Sequence, residues 1–95
     1  MISEKVATKI IFENEKIRVW EMTLEPGEIF PEHYHRLPYL VYVYEAAPLE
    51  LISQDGEKEI IETEVGGAYW LEAGETHSAK NIGTTRFREV LVEIK

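Results

Sequence analysis

The chain has no cysteine. That absence removes disulfide staples, thiolate zinc sites, iron–sulfur clusters and cysteine nucleophiles together. No apolar run follows basic residues at the N-terminus and no apolar stretch elsewhere is long. Neither a signal peptide nor a membrane span is therefore expected, and the cytoplasm is the expected compartment. Cationic residues are scarce, with 10 Lys and Arg against 18 Asp and Glu, a net charge of −8. A phosphate backbone or an anionic membrane surface would be repelled, so neither nucleic acid nor a membrane is an expected partner. The chain also lacks a phosphate-cradling glycine-rich loop followed by lysine, and a nucleophile elbow around any serine. At 95 residues it has room for one domain, residues 1–95, with a core that buries roughly 60–70% of the unfolded surface.

What is present alternates. Period-two segments of four to eight residues recur between turn signals, without a 3.6-residue stripe, which is the pattern of an all-β sandwich or barrel. The expected strands are Thr8–Glu13, Ile17–Leu24, Glu28–His35, Tyr39–Glu45, Leu49–Ser53, Lys58–Glu64, Ala68–Leu71, Thr76–Asn81 and Arg86–Ile94. Pro26–Gly27 suits a type II turn and Gln54-Asp55-Gly56-Glu57 a tight hairpin, while Gly66–Gly67 and Gly74 mark further bends. Along Tyr39–Glu45, Leu40, Tyr42 and Tyr44 alternate to the face opposite Tyr39, Val41 and Val43, so both faces are apolar or aromatic. One face should be covered by a second copy of the chain, making a homodimer.

The chain has only three histidines. His33 and His35, two apart on a strand, share a face about 7 Å apart by strand rise and can converge on one ion. Alone, such a pair is equally a half-buried, hydrogen-bonded pair of imidazoles. The wider pattern Gly27-x5-His33-x-His35 and Gly66-x5-Glu72-x-Gly74-x2-His77-x3-Asn81 resembles the two signature motifs of the cupin family. The stretches Glu13-Asn14, Arg18-Val19-Trp20-Glu21 and Ala73-Gly74-Glu75-Thr76-His77 are similar to small stand-alone cupins, some associated with β-alanine degradation. The resemblance implies a cupin-type β-barrel, a double-stranded β-helix or jelly roll, in which His77 arrives opposite His33 and His35 and the three ligate a divalent transition metal. Imidazole ligands leave Fe, Ni, Zn, Mn and Cu all open as its identity. A metal-free barrel with buried, hydrogen-bonded histidines is the alternative.

The chain also departs from that pattern. The glutamate that the first motif carries after its second histidine, with three or four residues between, is absent, its place taken by Tyr39 and Leu40. Ala46 replaces the closing glycine and Glu72 the proline of the second motif. Glu32 alternates away from His33, and Glu45, which shares the strand parity of Tyr39, is a remote substitute. Tyr39 has two readings, a hydroxyl beside the metal or an aromatic filling the barrel mouth. Tyr69, Trp70 and Arg36 are further pocket candidates, Arg86 and Arg88 are possible anion clamps, and Asn81 reads as a turn residue rather than a ligand. The resemblance extends to non-haem oxygenases acting on small molecules that chelate the metal through oxygen, here a β-dicarbonyl or similar. A non-catalytic metal or small-molecule binding module is the competing function. Metal affinity is expected to fall as pH drops through roughly 6 to 5, because imidazole must be deprotonated to ligate.

Overall fold

The computed structural model of the chain describes residues 3–95. It contains nine strands in those residues: β1 Lys9–Glu13, β2 Ile17–Leu24, β3 Ile29–Tyr34, β4 Tyr39–Glu45, β5 Leu49–Ser53, β6 Lys58–Ile61, β7 Ala68–Leu71, β8 Thr76–Asn81 and β9 Phe87–Ile94. They form two antiparallel sheets, one ordered β1-β2-β9-β4-β7 and the other β3-β8-β5-β6. The all-β architecture is the one that the period-two pattern predicts. No helix among the described residues is long and apolar enough to cross a membrane.

Alternation decides what goes inside. Trp20, Met22 and Leu24 of β2, Tyr39, Val41 and Val43 of β4, and Phe87 and Leu91 of β9 are buried, and they meet Leu49 and Ala79 from the opposing sheet. The N-terminal segment adds Val6 and Ala7 to this core and bridges in parallel from Ser3 to His33. Gly27 and Gly56 take φ of 83° and 88° at the two expected turns, a conformation that costs glycine little and other residues more.

Four strands are shorter than the sequence pattern suggests, β1 and β9 by one residue, β3 by two and β6 by three, and β3 and β6 show local features of note. β6 stops at Ile61, after which Thr63 Oγ1 donates to the Ala47 carbonyl and accepts from the Ala47 amide, tying the chain to the β4–β5 connection. β3 carries a bulge: Phe30 pairs with Ala79 but His33 pairs with His77, three residues on one strand against two on the other. The additional residue reverses the alternation, so Phe30 packs on the core and His33 also points inward. Pro31 lies in this bulge on an edge strand, where its missing N–H breaks no ladder.

Candidate metal centre and barrel cavity

The register of β3 with β8 sets His33 directly opposite His77. His35 follows just beyond β3, held by its amide donating to the Glu75 carbonyl and its carbonyl accepting from the Gly74 amide. The ring nitrogens Nε2 of His33 and His35 are 3.0 Å apart, and those of His35 and His77 are 3.1 Å apart. All three side chains are buried, and their candidate ligand atoms lie within 4.8 Å of one another.

The outer nitrogens determine which lone pairs remain. His33 Nδ1 donates to the Pro31 carbonyl at 3.0 Å, the bulge residue two positions earlier, which fixes the proton on Nδ1 and leaves Nε2 bare. His77 Nδ1 is bonded to the Glu75 carboxylate, again two residues earlier on the same side of the strand. His35 Nδ1 has no protein partner, and its ring stacks on Tyr39 at 4.1 Å between centroids. Three Nε2 atoms thus face one another with at most one proton among them, so at least two bare lone pairs point at a common centre. Nitrogens so spaced, each about 2.1 Å from a common ion, would subtend roughly right angles, so the donor set fits a divalent ion held on one face. Desolvation by burial lowers His33 to about 4 and His35 to about 3, with charge on neighbouring imidazoles contributing. Both rings therefore remain neutral well below the pH of 6 to 5 at which free imidazole would protonate.

The histidines open onto a cavity of about 390 Å³ between the sheets. Its walls are mostly aliphatic and aromatic, including Val6, Met22, Leu24, Val43, Leu51 and Phe87. Tyr39 and Tyr69 also line it, and Trp70 contributes to its rim. Trp70 is 53% exposed, is paired with outward-facing Leu40, and donates its Nε1–H to Glu72. Burial pushes the Tyr39 phenol up, helped by the charges of Glu75 and Glu89, so it stays protonated and its ring packs on His35.

Several candidates lie elsewhere. Arg36 is exposed and paired with Glu4 at 3.2 Å; because it follows His35 outside the strand, it projects away from the cavity rather than into it. Glu45 is turned outward by a register shift after Val43 and is clamped by Arg86 and Arg88, which removes all three from the site. Glu32 is exposed. Asn81 is fully buried as a structural clamp, donating to the Leu24 and Thr85 carbonyls and accepting from the Gly83 amide.

Two residues that sequence reasoning passed over matter more. Glu75 is the carboxylate behind His77, visible in retrospect as an i, i+2 neighbour on one strand face. Glu89 lies on β9 between inward-facing Phe87 and Leu91, pairs with Val43 and Met22, and lines the cavity. Its parity with Phe87 and Leu91 is the signal that could have located it, since an acidic side chain there cannot solvate an outer surface.

The profile of the cupin domain matches residues 20–93. Among solved structures, a cupin domain from Bordetella pertussis is 27% identical, with a TM-score of 0.86 over 100% of this chain and 98% of that one. A double-stranded β-helix protein from Klebsiella pneumoniae is 21% identical, TM-score 0.72, over 90% of this chain and 72% of its own. The polyketide cyclase RemF from Streptomyces resistomycificus shares the fold at 23% identity and a TM-score of 0.65, over 85% of this chain and 56% of its own. No curated protein matches, and the likeness to β-alanine-associated members gains no support from these relatives. The matched profile spans most of the chain and the two sheets carry the double-stranded β-helix, so the chain belongs to the cupin family.

Proposed function

We propose that the chain binds a divalent transition metal through His33, His35 and His77 and offers it to a small oxygen-bearing molecule inside the barrel, as a non-haem metal-dependent oxygenase would. The observation that carries this is the convergence of three Nε2 atoms, 3.0 and 3.1 Å between neighbours, with the outer nitrogens of two rings already committed to Pro31 and Glu75. A carboxylate or carbonyl behind a ligating imidazole fixes its tautomer and raises its basicity. A bound ion would supply Lewis acidity towards a chelated carbonyl and, if it is iron, a means of activating dioxygen. The chain's own part is to hold neutral imidazoles on one face, to keep the surroundings dry with aliphatic walls, and to restrict entry to small molecules.

The test begins with elemental analysis of anaerobically purified protein. One divalent ion per chain is expected. Acetylacetone added to the anaerobic ferrous protein should then produce a new charge-transfer band, followed by oxygen uptake on admitting air. A band without oxygen uptake would assign the chain to a second reading, a non-catalytic metal or small-molecule binding module. The missing motif glutamate favours that reading, since Tyr39 and Leu40 supply no carboxylate. No band with iron fully loaded would remove the oxygenase.

The same proposal takes the chain as a cytoplasmic homodimer. Phe12, Val19, Val92, Leu40 and Trp70 are successive cross-strand neighbours across all five strands of one sheet. They form an uninterrupted apolar row on its outer face, and a two-fold contact can bury such a row against itself. Light scattering should give twice the chain mass for the native protein and the single chain mass for Leu40→Lys; a native monomer would overturn the pairing.

A further inference from the structure

Besides the histidine cluster the cavity is lined by Tyr39, Tyr69, Glu62 and Thr63, and by one further ionisable group that no role has yet absorbed. That group is Glu89. Among the described residues its carboxylate makes no hydrogen bond or ion pair, yet it projects from the middle of β9 into the cavity between Met22 and Val43. Val43 is four residues along β4 from Tyr39, the residue stacked on His35, a rise of about 13 Å between the two levels. Glu89 is therefore set apart from the histidines, while its charge is still felt at the Tyr39 phenol. Between them lie Val41, Leu51, Leu91 and other apolar walls, which offer nothing to a charged or strongly hydrated molecule.

We propose that Glu89 is the second anchor of this cavity, hydrogen-bonding an uncharged oxygen group on the tail of a small, largely apolar ligand whose chelating head lies at His33, His35 and His77. This rests on the metal site proposed above for the head, but not for the tail. An unpartnered carboxyl in an apolar enclosure forfeits hydrogen bonds it had in water, and a ligand hydroxyl or carbonyl restores them. Desolvation pushes Glu89 up to about 8, so near neutral pH it is mostly a carboxylic acid, able to donate to a ligand oxygen and to accept from a hydroxyl. An ammonium tail would require two charges in the same enclosure, without further partners to stabilise them. The titratable groups around the cavity are His33, His35 and His77 from the opposing sheet, Tyr39 on β4, Tyr69 on β7 and Glu62 at the rim. None hydrogen-bonds Glu89.

Acetylacetone and a β-diketone bearing a hydroxyl on a short alkyl tail separate head from tail. On the metal-loaded protein at neutral pH the hydroxyl-bearing dione should bind about five- to tenfold more tightly than acetylacetone, the worth of one restored hydrogen bond. Because a hydroxyl can accept from the acid and donate to the carboxylate, that advantage should persist as pH rises through about 8, whereas a dione with an acceptor-only ether tail should lose its own advantage there. Glu89→Leu should abolish the advantage without changing acetylacetone affinity or metal content. Glu89→Gln should retain it, since the amide both donates and accepts, and should hold the ether-tailed dione equally well on either side of pH 8. An advantage that survives in Glu89→Leu, or a native protein that prefers an ammonium-tailed dione, overturns the proposal. If neither dione binds, the chelation proposal fails and the tail is tested alone, with a medium-chain alcohol added to metal-free protein carrying isotopically labelled glutamate. A shift of the Glu89 carboxyl resonance upholds the anchor, and an unmoved resonance overturns it.

Discussion

Glu89 and Glu93 lie on the same strand and face the same side, Glu93 buried and Glu89 half-buried against the cavity, and their surroundings differ. Glu93, 3% exposed, accepts the indole Nε1–H of Trp20 at 2.6 Å and has Arg18 at 3.7 Å. Glu89 has apolar neighbours and open space. At Glu93 the protein has completed the site itself, and the carboxylate serves the fold. At Glu89, as at the three facing Nε2 atoms, hydrogen-bonding capacity is left unused and directed into a cavity. Buried polar groups without protein partners are costly to retain, so where they face a common space they mark where something else is to be bound.

The largest effect that would sharpen this contrast is on metal. His33→Ala, His35→Ala and His77→Ala should each lower affinity by more than about a hundredfold, and Glu75→Gln by roughly 10- to 100-fold through loss of the group behind His77. Tyr39→Phe and Glu89→Leu should leave metal content intact. Full retention of metal in His77→Ala, measured by elemental analysis, would separate the two motifs that the β3–β8 register joins.

Next comes a pH-dependent stability difference in the metal-free protein. The Glu89 pKa is raised from 4.5 to about 8, so the unfolded chain ionises first and stability is lost as pH rises through that window. Denaturant midpoints should therefore show Glu89→Leu more stable than the native chain by an amount that grows from pH 4.5 to 8, reaching on the order of 2–4 kcal/mol. The depressed values of His33 and His35 have the opposite slope: stability is full above 6.5 and falls as pH drops towards about 4 and 3. A gain in Glu89→Leu that is independent of pH would mean that the carboxyl is solvated and the contrast with Glu93 is false.

Smaller again is the cost of breaking the completed site. Trp20→Phe keeps the ring but deletes the donor to Glu93 and should destabilise the fold by about 1.5–3 kcal/mol. Loss of that magnitude at Glu93, beside a gain at Glu89, is the comparison in its plainest form; no loss in Trp20→Phe would mean that Arg18 suffices. At the bottom of the scale, Arg36→Ala, which breaks only an exposed pair with Glu4, should leave metal content and the melting midpoint unchanged.

Much of the barrel was legible because its strands alternate cleanly. β2, β4, β5, β7 and β8 have the bounds that period two predicts, and Gly27 and Gly56 sit at the turns their types demand. The pairing of His33 with His35 was legible through its spacing, and His77 joined them only through the resemblance to the cupin motifs. What was not legible were the places where alternation breaks. The bulge at Pro31–Glu32 turns His33 inward together with Phe30, and the shift after Val43 turns Glu45 outward, although parity placed it beside Tyr39. A one-residue bulge shows in the register with the facing strand; in β3 only Pro31 hints at it, and around Glu45 the strand's own sequence carries no mark of the shift. Glu89 is obscured for another reason: it is one of 18 acidic residues, and only its place between Phe87 and Leu91 marks it as facing the cavity.

The position of β9 also has a consequence for how the protein is made. β9 is the final strand in sequence, yet it lies in the middle of its sheet, hydrogen-bonded to β2 on one side and β4 on the other. Trp20 cannot meet Leu91, nor Val41 its partner in the same residue, until residues 87–94 have left the ribosome. Until then β2 and β4 each expose an unpaired edge, and the cavity lacks the lining that Phe87, Glu89 and Leu91 supply. Pairings of such sequence separation are slow to form, in the millisecond-to-second range for all-β chains. The nascent chain is thus most prone to aggregation before residues 87–94 emerge, and the strand that brings Glu89 is also the one that joins β2 to β4.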